Sequence, residues 1–294
     1  MDFGKPRKLS LACELAADAV SVARCEDGVL QVSSARALES GALVPSLAAT
    51  NIVRPDHVRR ALQEALAAVA GRSRDIITIL PDGACRLILL DFDTLPAKRE
   101  EADAVVRFRL KKSLPFDVDR SRVSYQAQGL ENGKLSVVAA VVLNTVLEEY
   151  ELLVREAGYS PGVLIPSLLA ALGQVDASVP TLVIKVDTAT TGVAIVDHNH
   201  LLLVRTLDNP GGLRPNAAQL AEDVYPSVVF YQDTHGSKLE KVLVGGLASM
   251  DELNASLEEQ TGLRAEELVD ASRLGLISNA QRCTLAGVAG ALAS

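Results

Sequence analysis

Tryptophan is absent, aromatic residues make up only 3% of the chain and methionine occurs twice. The core must therefore be aliphatic, built mostly from Leu, Val, Ala and Ile. The four cysteines, Cys13, Cys25, Cys85 and Cys283, are scattered. They form no CxxC pair and no metal-ligand spacing, which reads as reduced, mostly buried thiols of a cytoplasmic protein. Basic charge is in deficit: 29 Lys and Arg against 37 Asp and Glu leave a net charge of −8. Nucleic acid is thereby excluded as the main partner, because phosphate binding needs a basic surface. No apolar run reaches the roughly 18–20 residues of a membrane-spanning helix. The longest candidate, "LSVVAAVVLNTVLEEY", is broken by Asn144 and ends in Glu148 and Glu149. The opening "MDFGKPRKLS" is polar, without the apolar stretch of a signal peptide. A protein working at a membrane would be recruited there. No Gly-x-Ser-x-Gly, supported Cys–His pair or Walker loop occurs, so no catalytic residue is assigned. His198-Asn199-His200 reads as a solvated turn rather than a metal pair, so no metal ligand is assigned either.

What is there is an ordinary globular composition, 48% hydrophobic and 22% charged over 294 residues. That length suits one large or two medium domains. Leu9–Leu38 reads as two apolar strands around a small polar turn, then the turn Glu26-Asp27-Gly28, then a third strand. "RPDHVRRALQEALAAVAG" has helical spacing, with Asp56 as cap and Gly71 as end. "DIITIL" and "RLILLDF" read as strands on either side of the turn "PDGAC". Ala97–Phe116 reads as a charged amphipathic helix stopped by Pro115. Arg122–Val142 reads as a hairpin turning at Asn132-Gly133. Asn144–Gly158 is a helix capped by Asn144, and "VLIPSLLAALGQV" a short apolar helix. "LVIKVDTATTGVAIVDHNHLLLVRTL" (182–207) repeats the strand, turn, strand, turn, strand plan of Leu9–Leu38. A helix carrying Pro226 follows, then a strand ending in Gly245-Gly246, a helix ended by Gly262, and a closing helix over 280–293. Such a duplication predicts an α/β, actin-like (ribonuclease H-like) fold of two lobes, their polar turns facing across a cleft. The first lobe spans 1–178, with an inserted small α+β subdomain at about 75–158. The second spans 179–294, with helix 280–293 packing back on the first.

Several segments carry a closer resemblance. "LPDGACRLILLDFDTLP", "FRLKKSLPFDVD" and "VSYQ", then "LAEDVYPSVVFYQ", "VLVGGLASMDELNASLEEQTG" and "TLAGVAGAL", resemble in order and spacing the PilM family. PilM proteins are cytoplasmic actin-like components of type IV pilus assembly, with the cell-division protein FtsA a more distant relative. The resemblance covers Leu9 to Ala293. It implies a platform, peripheral to the inner membrane, that grips the cytoplasmic tail of a PilN-type membrane protein in a groove beside the inserted subdomain. It also implies coupling to the pilus motor ATPases, a capacity for homo-oligomers, and ATP with Mg²⁺ as the cofactor of active members.

Aligned on that family, the first turn should read Asp-Ile-Gly-Ser-Ser with a lysine two residues on. Here it reads Glu14-Leu15-Ala16-Ala17-Asp18, with Ser21 at the lysine position. The second, usually Asp-Ile-Gly-Ala-Ser-Ser-Thr, reads Lys185-Val186-Asp187-Thr188-Ala189-Thr190-Thr191. Lys185 replaces the acid that orients Mg²⁺, and Asp187 replaces the glycine. Lys185 can offset Asp187 in an internal pair that fills the cleft. In a shifted register Asp187 could itself be the acid, since residues 185 and 187 share a strand face. The nucleotide candidates are Glu14, Asp187, Thr188, Thr190, Thr191, Gly245 and Gly246. The expectation is a non-hydrolysing relative that binds ATP and Mg²⁺ weakly or not at all. Candidate partner contacts are Arg107, Lys111, Leu114 and Phe116. The alternatives are a true actin-like ATPase and the cytoplasmic part of a type II secretion platform.

Overall fold

The strands expected in Leu9–Leu38 form an antiparallel meander, β1 (Leu11–Leu15), β2 (Ala19–Glu26) and β3 (Val29–Ala37). The computed structural model describes residues 9–26, 29–69, 71–131, 133–247, 250–269 and 284–293. Helix α1 (Pro55–Ala68) follows, with Arg54 rather than Asp56 at the cap. Proline fills the first helical position, where its missing N–H costs nothing, and Asp56 lies inside the first turn, favoured by the helix dipole. Strand β4 (Asp75–Leu80) then runs parallel to β1.

An insert leaves and re-enters the sheet here. It comprises β5 (Arg86–Phe92), α2 (Arg99–Leu110), β6 (Ser121–Glu131) and β7 (Lys134–Leu143), in the sheet order β5-β7-β6. Gly133, at φ +78, turns the β6–β7 hairpin as expected; Asn132 lies outside the described residues. Helix α2 ends at Leu110, short of Pro115. Helix α3 (Asn144–Glu156) is capped by Leu143, so Asn144 is its first residue and not its cap.

Val163–Val175, expected as one helix, divides. Residues up to Pro166 form β8 (Ser160–Pro166), parallel to β4, and α4 (Ser167–Leu172) follows. The residue before a proline favours extended backbone, and an edge strand tolerates the missing N–H. The expected 75–158 insert therefore contracts: β4 joins the first sheet, and α3 buries Val146, Tyr150 and Val154 in that sheet's core.

The second half repeats the plan with β9 (Thr181–Val186), β10 (Thr190–Asp197) and β11 (His200–Asp208). His198 and Asn199, at φ +46 and +64, make the tight β10–β11 turn. Helix α5 (Ala217–His235) runs through Pro226, capped by the Asn216 side chain and ended by Gly236. Then come β12 (Lys241–Gly245), α6 (Asp251–Thr261), which Gly262 ends, and β13 (Ala265–Glu267). Helix α7 (Ala286–Ala293) closes the chain; positions 280–283 of the expected helix, with Cys283, lie outside the described residues.

The two main sheets have the same order, β3-β2-β1-β4-β8 and β11-β10-β9-β12-β13. Helices α1 and α3 cover the outer face of the first, and α5 and α6 that of the second. Helices α4 and α7 lie between them in a shared layer of Ala, Leu and Val. Cys13, Cys25 and Cys85 are buried. No helix among the described residues is long and apolar enough to cross a membrane.

Candidate functional site: the cleft between the lobes

Strands β1 and β9 occupy the middle of their sheets, and packed layers cover both faces of each. Alternation in β1 sends Leu11, Cys13 and Leu15 to the outer core and Ala12 to the shared layer. In β9, Leu182, Ile184 and Val186 face outwards and Val183 inwards. Glu14 and Lys185 share the inward parity, so strand geometry aims each at the other. Lys185 Nζ lies 2.7 Å from Glu14 Oε1, with both side chains 7% exposed. The Ser167 hydroxyl, at the start of α4, donates to the same oxygen. Gly287 of α7 leaves room for the Glu14 carboxylate; any side chain there would collide with it. Lys185 thus pairs across the cleft with Glu14, which corrects the expected pairing with Asp187.

Asp82, in the short turn Asp82–Ala84, completes the buried cluster. Both its oxygens accept the Leu168 N–H of α4, at 3.0 and 3.1 Å. Burial pushes its carboxyl up to about 7, the charges of Asp187 and Glu14 add to the rise, and Lys185 and the Leu168 N–H oppose it. For Lys185 burial acts downwards, but Glu14, Asp187 and Asp82 outweigh it and hold the ammonium above its ordinary value. One lysine therefore balances three acids.

The second turn is closed on itself. Asp187 Oδ1 accepts the N–H groups of Ala189 at 2.7 Å and Thr190 at 2.9 Å, and Oδ2 accepts the Thr190 hydroxyl at 3.4 Å. Thr191 donates to Asn209 Oδ1 at 2.8 Å, and Asn209 Nδ2 donates to the Asp187 carbonyl at 2.8 Å. At the cleft mouth Arg214 Nη2 lies 3.1 Å from Asp18 Oδ2 and its Nη1 donates to the Gly246 carbonyl. Partial burial raises the Asp18 carboxyl, but hydrogen bonds from Thr188 and Arg214 outweigh it and hold the group below its ordinary value. The glycine pair is packed just as tightly. A Cβ on Gly245 would meet Ala286 of α7, and one on Gly246, at φ +94, would overlap the Val186 carbonyl.

These residues do not fit Mg-ATP. An ammonium stands where a metal-orienting carboxylate is required, and all three threonine hydroxyls have protein acceptors. Asp187 takes two turn N–H groups that a phosphate would need, which also disfavours the shifted register. No group of three or more His, Cys, Asp or Glu suited to a metal occurs among the described residues. Asp82, Ser167, Asn209 and Arg214 were not anticipated. Only Asp82 left a signal, an acid closing a buried strand in "ILPDG".

No family model and no curated protein matches the chain. Solved structures do. A chain of the PilM-PilN type IV pilus biogenesis complex superposes with a TM-score of 0.81 over 98% of both chains at 17% identity. The cytoplasmic domain of EpsL, an inner membrane component of the type II secretion system of Vibrio cholerae, gives 0.57 at 15% identity, over 95% of this chain and 94% of that one. A Bacteroides thetaiotaomicron protein with an actin-like ATPase fold gives 0.50 at 9% identity, over 94% and 96%. The fold is actin-like. Its inter-lobe cleft is the one filled by Glu14, Lys185, Asp187 and their neighbours.

The candidate partner contacts on the insert are largely engaged within it. Arg107 donates to the carbonyls of Val118 at 2.9 Å and Ser121 at 3.4 Å. Lys111 pairs with Asp119 at 2.7 Å, in solvent. Leu114 and Phe116 pack against the insert's core. The exposed face of α2 instead presents Phe108, with Lys112 over its ring.

The insert's other face is turned to the actin-like lobes, where Leu87, Leu89 and Val138 meet the shared layer. Here Leu201 of β11 is clasped by the Gln128 amide, which accepts its N–H at 2.7 Å and donates to its carbonyl at 3.0 Å. Leu201 borders a cavity on each side. One, of about 540 Å³, is lined by Tyr125, Gln126, Val138, Ile165, Leu169 and Leu172. The other, of about 750 Å³, lies between β5, β11 and α5.

Proposed function

We propose that this chain is a PilM-like platform protein of type IV pilus assembly. It binds the cytoplasmic tail of a PilN-type membrane protein and is held at the inner membrane by that contact. The observation that most supports the reading is the likeness, over nearly the whole chain and including the insert, to a chain of the PilM-PilN complex. The groove of about 540 Å³ between the insert and α4 suits such a tail: narrow, apolar-walled, with amides and a tyrosine to meet an extended backbone. In this reading the cleft is that of a pseudo-ATPase, and the platform works without nucleotide turnover. Energy for assembly then comes from separate motor ATPases that contact it.

The test is calorimetric titration of the intact protein with the N-terminal peptide of the PilN-type protein from the same genome. Saturable binding with a Kd on the order of micromolar is expected, weakened at least about tenfold by Leu172→Glu in the groove wall. No binding would overturn the reading. The likeness to the EpsL cytoplasmic domain favours a second one, a type II secretion platform. Binding of a secretion-system tail in place of the pilus tail would select it.

A further inference from the structure

Strands β4 and β8 run parallel and stay paired as far as Leu80 and Pro166. Beyond that pair the two chains part. One passes through Pro81 and Asp82 into the insert, and the other through Ser167 and Leu168 into α4. The groove of about 540 Å³ lies between these branches, with residues 124–128 of the insert on one wall and Leu169 and Leu172 of α4 on the other. Pro81 has no N–H with which to continue the ladder. The Asp82 carboxylate takes over, accepting the Leu168 N–H at 3.0 and 3.1 Å. It joins the branches two residues past the last pair of the ladder.

Helix α4 depends on such outside ties. It has 6 residues, too few to be stable alone, and Pro166 at its cap makes no side-chain bond. The Leu168 N–H belongs to the first turn, whose donors have no partner within a helix. At the other end a Cβ on Gly173 would overlap the Gly290 carbonyl of α7, so close packing fixes that end. Ser167 ties the first turn to Glu14 of β1, and Asp82 ties it to the root of the insert. The insert's far end is held separately, by Gln128 on the backbone of Leu201.

We propose that Asp82 is a positioning residue of the groove: by holding Leu168 it sets the separation of the insert from α4, and so the width in which a partner segment lies. Asp82 is buried and lines no part of the groove, so it acts through α4 and never on the segment itself. Leu169, next to Leu168, carries any shift of the first turn into the groove wall. The effect on tail binding rests on the pilus reading; the effect on the groove's shape does not.

Asp82→Ala removes the tie, and Asp82→Asn keeps an acceptor for the Leu168 N–H. The alanine variant loses one of the three acids that Lys185 balances, so it is expected to fold. Both are compared with the parent by residue-resolved amide hydrogen exchange and by calorimetric titration with the N-terminal peptide of the PilN-type protein. In Asp82→Ala the Leu201 amide, which Gln128 protects from the insert's far end, should exchange at least about fivefold faster. Peptide affinity should fall at least about fivefold. Asp82→Asn should hold both within about twofold of the parent. Loss of a local cap alone would speed exchange at Leu168 and leave Leu201 and the peptide unchanged, and that result overturns the proposal. So does an asparagine variant that behaves like the alanine one. A parent that binds no peptide overturns the pilus reading instead, and Leu201 exchange then decides the proposal by itself.

Discussion

The two lobes repeat one another closely, and their first strands carry opposite charges at the same place. Strands β2 and β10 each have 8 residues and each shifts register near its end, between Arg24 and Cys25 and between Ile195 and Val196. Both turns close with the same bond, Ala16 N–H to Ala19 carbonyl and Asp187 N–H to Thr190 carbonyl. Glu14 and Lys185 hold the equivalent position, the second-last residue before each turn's first strand joins the turn. The duplicated fold makes these two positions face one another. Two acids there would need a cation between them; an acid and a base supply their own closure. At this position the lobes thus carry opposite charges, and the two side chains pair where the lobes meet.

Breaking that pair should have the largest effect. Lys185→Met leaves Glu14 buried without its partner and should cost about 3–5 kcal/mol in urea denaturation. Adding Glu14→Gln should recover most of the loss, because the neutral amide no longer needs a counter-charge.

Asp82→Asn sharpens the comparison by removing a third acid. In the folded protein this carboxyl keeps its proton to about pH 7, against an ordinary value of 3.8. Between those values the folded state binds more protons than the unfolded one, so stability falls as pH rises and stays lowered above pH 7. Asparagine keeps an acceptor for the Leu168 N–H and lacks the slope. At pH 8 the variant should be more stable than the parent by on the order of 1–3 kcal/mol, and the gap should close towards pH 4.

Asp187→Ala frees two turn N–H groups and should cost about 1–2 kcal/mol. The half-exposed Asp18–Arg214 strap is the weakest tie, and Arg214→Ala should change thermal stability by no more than about 1 kcal/mol.

Much of the fold was legible because two local signals, strand alternation and glycine stops, recur in both halves. Gly236 and Gly262, at φ +66 and +73, end helices for a reason visible in the sequence. The split at Pro166 was not legible, since Leu-Ile-Pro-Ser-Leu-Leu is apolar throughout and only pairing with β4 shows which part is strand. At the site, the resemblance placed Lys185 in the second turn and nearness in sequence paired it with Asp187, whereas its partner is Glu14 in the other lobe. That pairing is a long-range contact. So are those of Arg214 with Asp18 and of Asp82 with Leu168, which join residues remote in the chain. The surroundings of the candidate partner residues were hidden for a related reason: a charged helix end shows its charge in sequence, but not the carbonyls that Arg107 holds.

The central claim, a cleft occupied by its own side chains, is tested most directly by calorimetric titration of the intact protein with Mg-ATP. The account predicts no saturable heat up to about 1 mM nucleotide. A Kd in the micromolar range that Lys185→Met alters would contradict it, since nucleotide in this cleft would have to displace Lys185 from Glu14.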